Sequence, residues 1–208
     1  MTEIVIATRN QNKVSEIKDI LKDLNVHLIS LKDYPGILEI EEDGRDFDEN
    51  AIKKAVTVAR ETRHLTMADD SGLEVDFLDG EPGVRSSRFA GDKAAMDENI
   101  AKLLRLLNGV PIEKRIASFR CSIAIADKEG LIKVVHGRCK GIIGFECRGA
   151  LGFGYDPLFI VPEYGKTFAE LGADVKNRIS HRARALAKAK EVIRERLRII
   201  SDYTEMSF

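Results

Sequence analysis

Residues 4–31 read IVIATRNQNKVSEIKDILKDLNVHLISL, and their order decides the fold. Ile4-Val5-Ile6-Ala7 is a short apolar run, the size of a buried strand. It stops at the polar turn Thr8-Arg9-Asn10-Gln11-Asn12-Lys13, after which Val14, Ile17, Ile20, Leu21 and Leu24 recur at helical spacing. Val26 to Leu31 predicts a second strand. Strand, polar loop, helix, strand is the opening of an α/β fold with a parallel pair.

Working outward, Glu39 to Arg45 is an acidic loop, and Asp46 with Glu49 predicts a capping box for a helix carrying Phe47, Ala51, Ile52, Ala55, Val56 and Ala59 and ending near Arg63. Leu65 to Ala68 predicts a short strand ending at Asp69-Asp70-Ser71-Gly72, with strand resuming through Leu73, Val75 and Phe77. Ile100, Leu103, Leu104 and Leu107 mark a third helix, closed by Asn108-Gly109 and Pro111. Phe119, Cys121, Ile123 and Ile125 alternate, and Asp127 to Gly130 turns the chain into Leu131 to Val135 as a hairpin. Gly141 to Glu146 predicts a further strand, and Leu158 to Val161 is another apolar run. Ser180 starts the last helix, with Ala183, Leu186, Ala187, Ala189, Ile193, Leu197 and Ile200 on its buried side. The central antiparallel strands are candidates for a second lobe, although no break in composition separates them.

Composition narrows the class. The 208 residues, 44% hydrophobic and 32% charged, suit one globular domain or a closely joined pair. Nothing approaches the ~18 apolar residues of a membrane span, and Met1-Thr2-Glu3 begins no signal peptide, so no membrane or secretory role is expected. The 33 Lys and Arg against 34 Asp and Glu leave a net charge of −1, without the basic excess of a general nucleic-acid binder. Cys121, Cys139 and Cys147 have no Cys-x-x-Cys spacing and read as reduced thiols on strands in a cytoplasmic protein.

Four segments can carry chemistry. Thr8, Asn10 and Lys13 surround a helix N-terminus, whose free N–H groups and dipole suit an oligophosphate; taken alone, the loop fits helix capping by asparagine with a solvated lysine better. Asp69-Asp70-Ser71-Gly72 and Glu41-Glu42 could each give one carboxylate to Mg²⁺, or be a turn and a solvated loop. Gly152-Phe153-Gly154-Tyr155-Asp156-Pro157 offers close backbone approach, ring faces for a base and an acceptor, or a tight turn with core aromatics. Lys176 to Arg182 puts His181 and Arg182 at the positive end of a helix, a mild conflict that an anion or a keto oxygen would relieve.

Together these segments resemble the non-canonical purine (inosine and xanthosine) triphosphate pyrophosphatases. The matching stretches are Ala7 to Lys13, Glu41-Glu42, Glu49-Asn50-Ala51 with Lys54, Ala68 to Leu73, Pro82-Gly83, Gly152 to Phe159, and Lys176 with Ile179 to Ala183. Arg85, Ser87 and Tyr155 depart from residues common in the family. The resemblance implies an elongated two-lobed α/β fold around a long curved mixed sheet with flanking helices and a substrate cleft between the lobes. Residues 1–208 would form a single catalytic domain. It also implies a cytoplasmic homodimer that hydrolyses ITP, dITP and XTP to the monophosphate and pyrophosphate with one or more Mg²⁺ ions, cleansing the nucleotide pool.

Carried over residue by residue, Thr8, Arg9, Asn10, Gln11, Asn12, Lys13 and Lys54 would hold the triphosphate, Glu42 and Asp70 the metal, and Asp70 would also accept the proton of the attacking water. Ser71 would touch the substrate; Phe153 would stack on the base among Gly154, Tyr155 and Asp156, while Lys176, His181 and Arg182 read its polar edge. Three other readings compete: a septum-inhibitor type pyrophosphatase, a nucleotide sensor without turnover, and a nucleic-acid module using Lys176 to Arg198. The Ser180-His181-Arg182 segment, the pairing of Glu42 with Asp70, and the apolar stripe with Glu191 and Glu195 on the last helix argue against each in turn.

Overall fold

The computed structural model describes residues 2–205, with side chains through residue 199. Strands β1 (Thr2–Ile6), β2 (Val26–Ser30), β3 (Leu65–Val75), β4 (Ile116–Asp127), β5 (Gly130–Ile143), β6 (Phe159–Val161) and β7 (Lys166–Thr167) form one sheet in the order β2-β1-β3-β4-β5-β6-β7. The first three run parallel and the remaining pairings are antiparallel, so the sheet is mixed. Helices α1 (Gln11–Leu21), α2 (Phe47–Thr62), α3 (Met96–Leu106), α4 (Phe168–Ile179) and α5 (His181–Glu205) cover it.

The sequence explains the ends of these elements. Asn10 caps α1, its side chain accepting from the N–H groups of Asn12 at 3.0 Å and Lys13 at 3.3 Å. Asp46 caps α2 through the N–H of Glu49 at 2.9 Å, but the Glu49 carboxylate returns to the N–H of Arg45 rather than closing the expected box on Asp46. Three cores follow from the faces the helices bury. Ile17, Leu21, Leu186 and Ile193 pack α1 and α5 on one face of the sheet, while Ala51, Ala55 and Val58 pack α2 on the other. Leu103, Phe119, Phe159 and Phe168 fill the far end.

Several elements differ from the sequence reading. Asp69 to Gly72 does not end a strand; it lies inside the 11-residue β3, paired with β4 from Thr66 to Val75. The β1 ladder stops at Met67, so only one edge of β3 keeps a strand partner where the two aspartates sit. Polar residues are tolerated there because that stretch borders a cleft. Of the expected strand at Gly141 to Glu146, only Gly141 to Ile143 is strand, as the end of one continuous β5, and residues 144–146 lie outside it; along β5 Arg138 and Lys140 face solvent while Gly137, Cys139 and Gly141 turn inward. Phe77 falls in a 3-10 turn and is 48% exposed. Helix α4 has no counterpart in the sequence reading, although Thr167 and Glu170 form a reciprocal cap at 3.2 and 2.7 Å; Gly172, with φ +76°, kinks it. On α5, Ala185 rather than Ala187 points inward, and the side chain of Ile200 lies outside the described residues. Cys121 and Cys139 are free and buried on strands, but Cys147 is an exposed loop residue. Among the described residues no helix is long and apolar enough to cross a membrane.

Candidate active site

A cleft of about 810 Å³ opens where β1 stops short of β3. Residues from distant segments line it: Thr8, Arg9, Asn10 and Lys13 from the first turn, Glu42 from the acidic loop, Lys54 from α2, and Asp70 and Ser71 from β3. Phe153 to Asp156 and Lys176, His181 and Arg182 complete it. Gln11 and Asn12 do not join them; both are exposed at the start of α1, outside the lining.

The period-2 alternation of β3 sends its two aspartates to opposite sides of the sheet. Asp70 faces α2. Its Oδ2 accepts from Asn50 Nδ2 at 3.0 Å, and its Oδ1 is 3.7 Å from Lys54 Nζ. The same ammonium donates to Glu42 Oε1 at 2.5 Å and to the carbonyl of Asp69 at 2.8 Å. Burial pushes the Asp70 carboxyl above its ordinary range, with Glu42 adding to the rise and Lys54 and Lys13 only partly offsetting it. Glu42 is also desolvated, but the Lys54 ammonium bonded to it brings its carboxyl below the usual value. Two neighbouring carboxylates therefore differ in basicity.

Hard oxygen donors around one cation suit Mg²⁺. Lys54 bridges Glu42 and Asp70, which shows that both carboxylates reach a common positive charge. No cluster of three or more His, Cys, Asp or Glu among the described residues could hold a metal alone, so the protein would supply two carboxylates and leave the other positions to phosphate and water.

The opposite wall is a chain of buried ion pairs. Asp69 binds Lys13 and takes Arg182 Nε at 3.0 Å. Glu16 binds Arg182 and lies 2.8 Å from Lys176 Nζ, which donates to Asp156 Oδ2 at 2.5 Å. The expected charge conflict at the start of α5 is thus met internally. Asp69 and Glu16 neutralise Arg182, while burial, reinforced by Arg182 and Lys176, holds His181 well below the ordinary imidazole value, hence uncharged. His181 stacks on Phe119 at 4.7 Å, and its Nδ1 is buried without a hydrogen-bond partner among the described residues. An orphaned polar atom in a cleft wall calls for a ligand atom.

Asp156 also accepts from the N–H of Phe153 at 2.8 Å, and Tyr155 is anchored in the core by its hydroxyl on the Ser86 carbonyl at 3.0 Å. The Phe153 ring lies 4.3 Å over Lys176 Nζ and 5.6 Å from the Arg182 guanidinium. A heterocycle needs about 3.5 Å on each side, so one cannot enter between ring and ammonium unless Phe153 swings outward. Gly152 and Gly154, with φ of +79° and +65°, flank it.

Sequence reasoning assigned no role to four residues of this neighbourhood. Glu16 stands one turn beyond Lys13, and Asn50 one turn before Lys54, so helical spacing alone would have put each beside its neighbour. Asp69 was masked by its equivalence to Asp70 in the linear sequence. Arg88, which donates to the main-chain carbonyl of Glu42 at 2.7 Å, carries no sequence signal.

One deep, charge-lined cleft, set where the parallel part of a mixed sheet meets its antiparallel part, defines the class to which this α/β protein conforms. A model of the Ham1 family matches residues 4–192, and the chain belongs to that family. It is 53% identical over 191 residues to a dITP/XTP pyrophosphatase of Desulforamulus reducens, covering 92% of this chain and 95% of the relative. It is 48% identical over 197 residues to one of Bacillus cereus, covering 94% and 96%. Among solved structures, a HAM1 protein from Coxiella burnetii superposes with a TM-score of 0.85 at 42% identity, covering 94% of this chain and all of that one. The Ham1 protein of Staphylococcus aureus gives 0.83 at 39%, with the same coverage.

Proposed function

We propose that the protein is a nucleoside triphosphate pyrophosphatase that hydrolyses ITP, dITP and XTP to the monophosphate and pyrophosphate, with Mg²⁺ as cofactor. The observation that carries this reading is the convergence in one cleft of a cation-bearing helix N-terminus, the Glu42–Lys54–Asp70 centre and a ring-and-donor pocket. The names of the relatives support the substrate class.

Each residue then has a physical task. The N-terminal turn of α1 and Lys13 hold the phosphate chain, with Thr8, Arg9 and Asn10 beside them. Asp70, whose carboxyl burial raises above its ordinary value and so makes more basic, takes a proton from water attacking the anhydride that joins the monophosphate to pyrophosphate. Asn50 aims it, its own Oδ1 held by the N–H of Gly44 at 2.7 Å. Glu42 and Asp70 would hold Mg²⁺, which when bound neutralises charge on the phosphoryl oxygens. Lys54 keeps both carboxylates together and adds positive charge beside them.

Phe153 supplies the stacking face, Lys176, His181 and Arg182 meet the polar edge of the base, and Ser71 touches the substrate. Donors facing a keto oxygen disfavour adenine, whose amino group leaves a buried donor unpaired. In this reading the chain acts as one catalytic unit of two lobes, working as a cytoplasmic homodimer. Purified protein should release pyrophosphate, not orthophosphate, from ITP and XTP, and act on ATP far more slowly. Orthophosphate release, or equal rates on ATP and ITP, would sink the assignment. Sedimentation of the same sample reads the oligomeric state.

A further inference from the structure

Asp69 is fully buried and does not line the cleft, yet its carboxylate collects donors from four elements. Its Oδ1 takes Lys13 of α1, Ser71 Oγ of β3 at 3.1 Å and one Arg182 terminal nitrogen of α5 at 3.4 Å. Its Oδ2 takes Arg182 Nε at 3.0 Å and the Cys121 thiol of β4 at 2.9 Å. With both oxygens engaged by donors, the group has nothing left to offer a metal ion or an attacking water.

We propose that Asp69 is a positioning residue that couples the grip on the phosphates to the choice of base. The proposal rests on the reading above, in which Lys13 serves the phosphates and Arg182 the base edge. Arg182 is a rigid fork: fixing Nε and one terminal nitrogen on a single carboxylate sets the plane of the guanidinium and so the direction of its remaining donors. Lys13 is a point charge on a flexible stem, and its rest position is on the same carboxylate. A triphosphate that draws Lys13 toward itself leaves more of the Asp69 charge to Arg182 and tightens that fork. Occupancy at the phosphate end therefore alters alignment at the base end, and by linkage the base alters the phosphate grip. Removing Asp69 leaves two cations behind one wall with no common anchor.

Cys121 gives the cleanest handle, because its thiol contacts Asp69 and does not line the cleft. The test reads the ratio of kcat/KM for ITP over ATP in the full-length protein. A loss of folded protein scales both substrates equally and leaves this ratio intact. Cys121→Ala removes one donor without changing charge and should shift the ratio at least twofold. Lys13→Met should shift it at least threefold in the native background and not at all in an Asp69→Asn background. An unchanged ratio in Cys121→Ala, or the same Lys13→Met shift in both backgrounds, overturns the proposal; the Cys121 variant decides the matter even if Asp69→Asn does not fold. Native protein inactive on ITP would overturn the functional reading and this proposal together, whereas active native protein with unmoved ratios removes the coupling alone.

Discussion

Lys54 and Glu42 form an ion pair at 2.5 Å that ties an otherwise irregular acidic segment to the sheet, because the same ammonium also holds the Asp69 carbonyl at 2.8 Å. Arg9 and Arg88 support that segment from both sides, donating to the carbonyls of Ile37 at 2.6 Å and Glu42 at 2.7 Å. The cleft's lysines and Arg182 all have carboxylate partners, so much of their charge is spent before a polyanion arrives. In the proposed reading, a divalent cation held by Glu42 and Asp70 would add the positive charge that a polyphosphate needs there.

Activity should therefore vanish with a chelator and return with Mg²⁺. Glu42→Gln should raise the Mg²⁺ concentration for half-maximal rate by about tenfold or more, by the scale of losses seen when metal-site partners are removed. Lys54→Met should weaken both the rate and the hold on the acidic loop. Magnesium titration of the initial rate measures both, and an unchanged half-saturation in Glu42→Gln would take Glu42 out of the metal site.

Asp70→Asn tests the base. The amide keeps the size of the side chain but accepts no proton, so kcat should fall by about 10²–10⁴. Burial already disfavours the ionised carboxylate here, so removing the charge should move the melting temperature by no more than about 4 °C, the equivalent of roughly 1 kcal/mol in a chain of this length. Steady-state kinetics beside a thermal melt separates the two effects. Near-native turnover would assign the proton to another group.

The close approach of β5 to α5 makes Gly137 irreplaceable. A Cβ there would stand 1.9 Å from the His181 carbonyl oxygen and 2.6 Å from the Ala185 nitrogen, both main-chain atoms that cannot rotate away. Gly137→Ala should cost about 1–3 kcal/mol or more. It should also lower activity, since the turn it displaces carries His181 and Arg182. Gly36→Ala, where no atom lies within 4 Å, is the control. Equal melting temperatures for the two variants would contradict this packing.

These features show what the sequence discloses and what it hides. The β1–α1–β2 unit was legible because buried periodicity and a polar turn are local signals, and Asn10 and Asp46 announce their helices by side-chain chemistry. The continuity of β3 and β5 was not, because polar residues at a cleft edge or on a solvent-facing side imitate a loop. The partition of Asp69 and Asp70 follows from strand alternation once the strand is known to run through them. Glu16 joining Lys176 and Arg182, the arginine 166 positions further along the chain, is a tertiary fact without local trace.

His181 gives the stability a predictable pH dependence. Burial, with Arg182 and Lys176 nearby, holds its imidazole well below the ordinary value, so the folded chain keeps it neutral in mild acid. The unfolded chain protonates it at about pH 6.5. Below that point the unfolded state binds a proton the folded state refuses, and stability falls as the pH falls, by about 1.4 kcal/mol per pH unit until the folded value is reached. Above about pH 7.5 the contribution is complete and flat. Asp69, held far below the carboxylate range, adds a loss of the same sign only below about pH 4. Asp70 and Asp156 act in the opposite sense, because their raised carboxyls keep a proton longer in the fold, but both remain when His181 is replaced. Urea unfolding of native protein and His181→Gln between pH 6 and pH 5 isolates the imidazole: the native slope should be steeper by about 1.4 kcal/mol per unit. Parallel slopes would mean that His181 is charged in the folded protein, and so could not offer a neutral Nδ1 to the edge of a base.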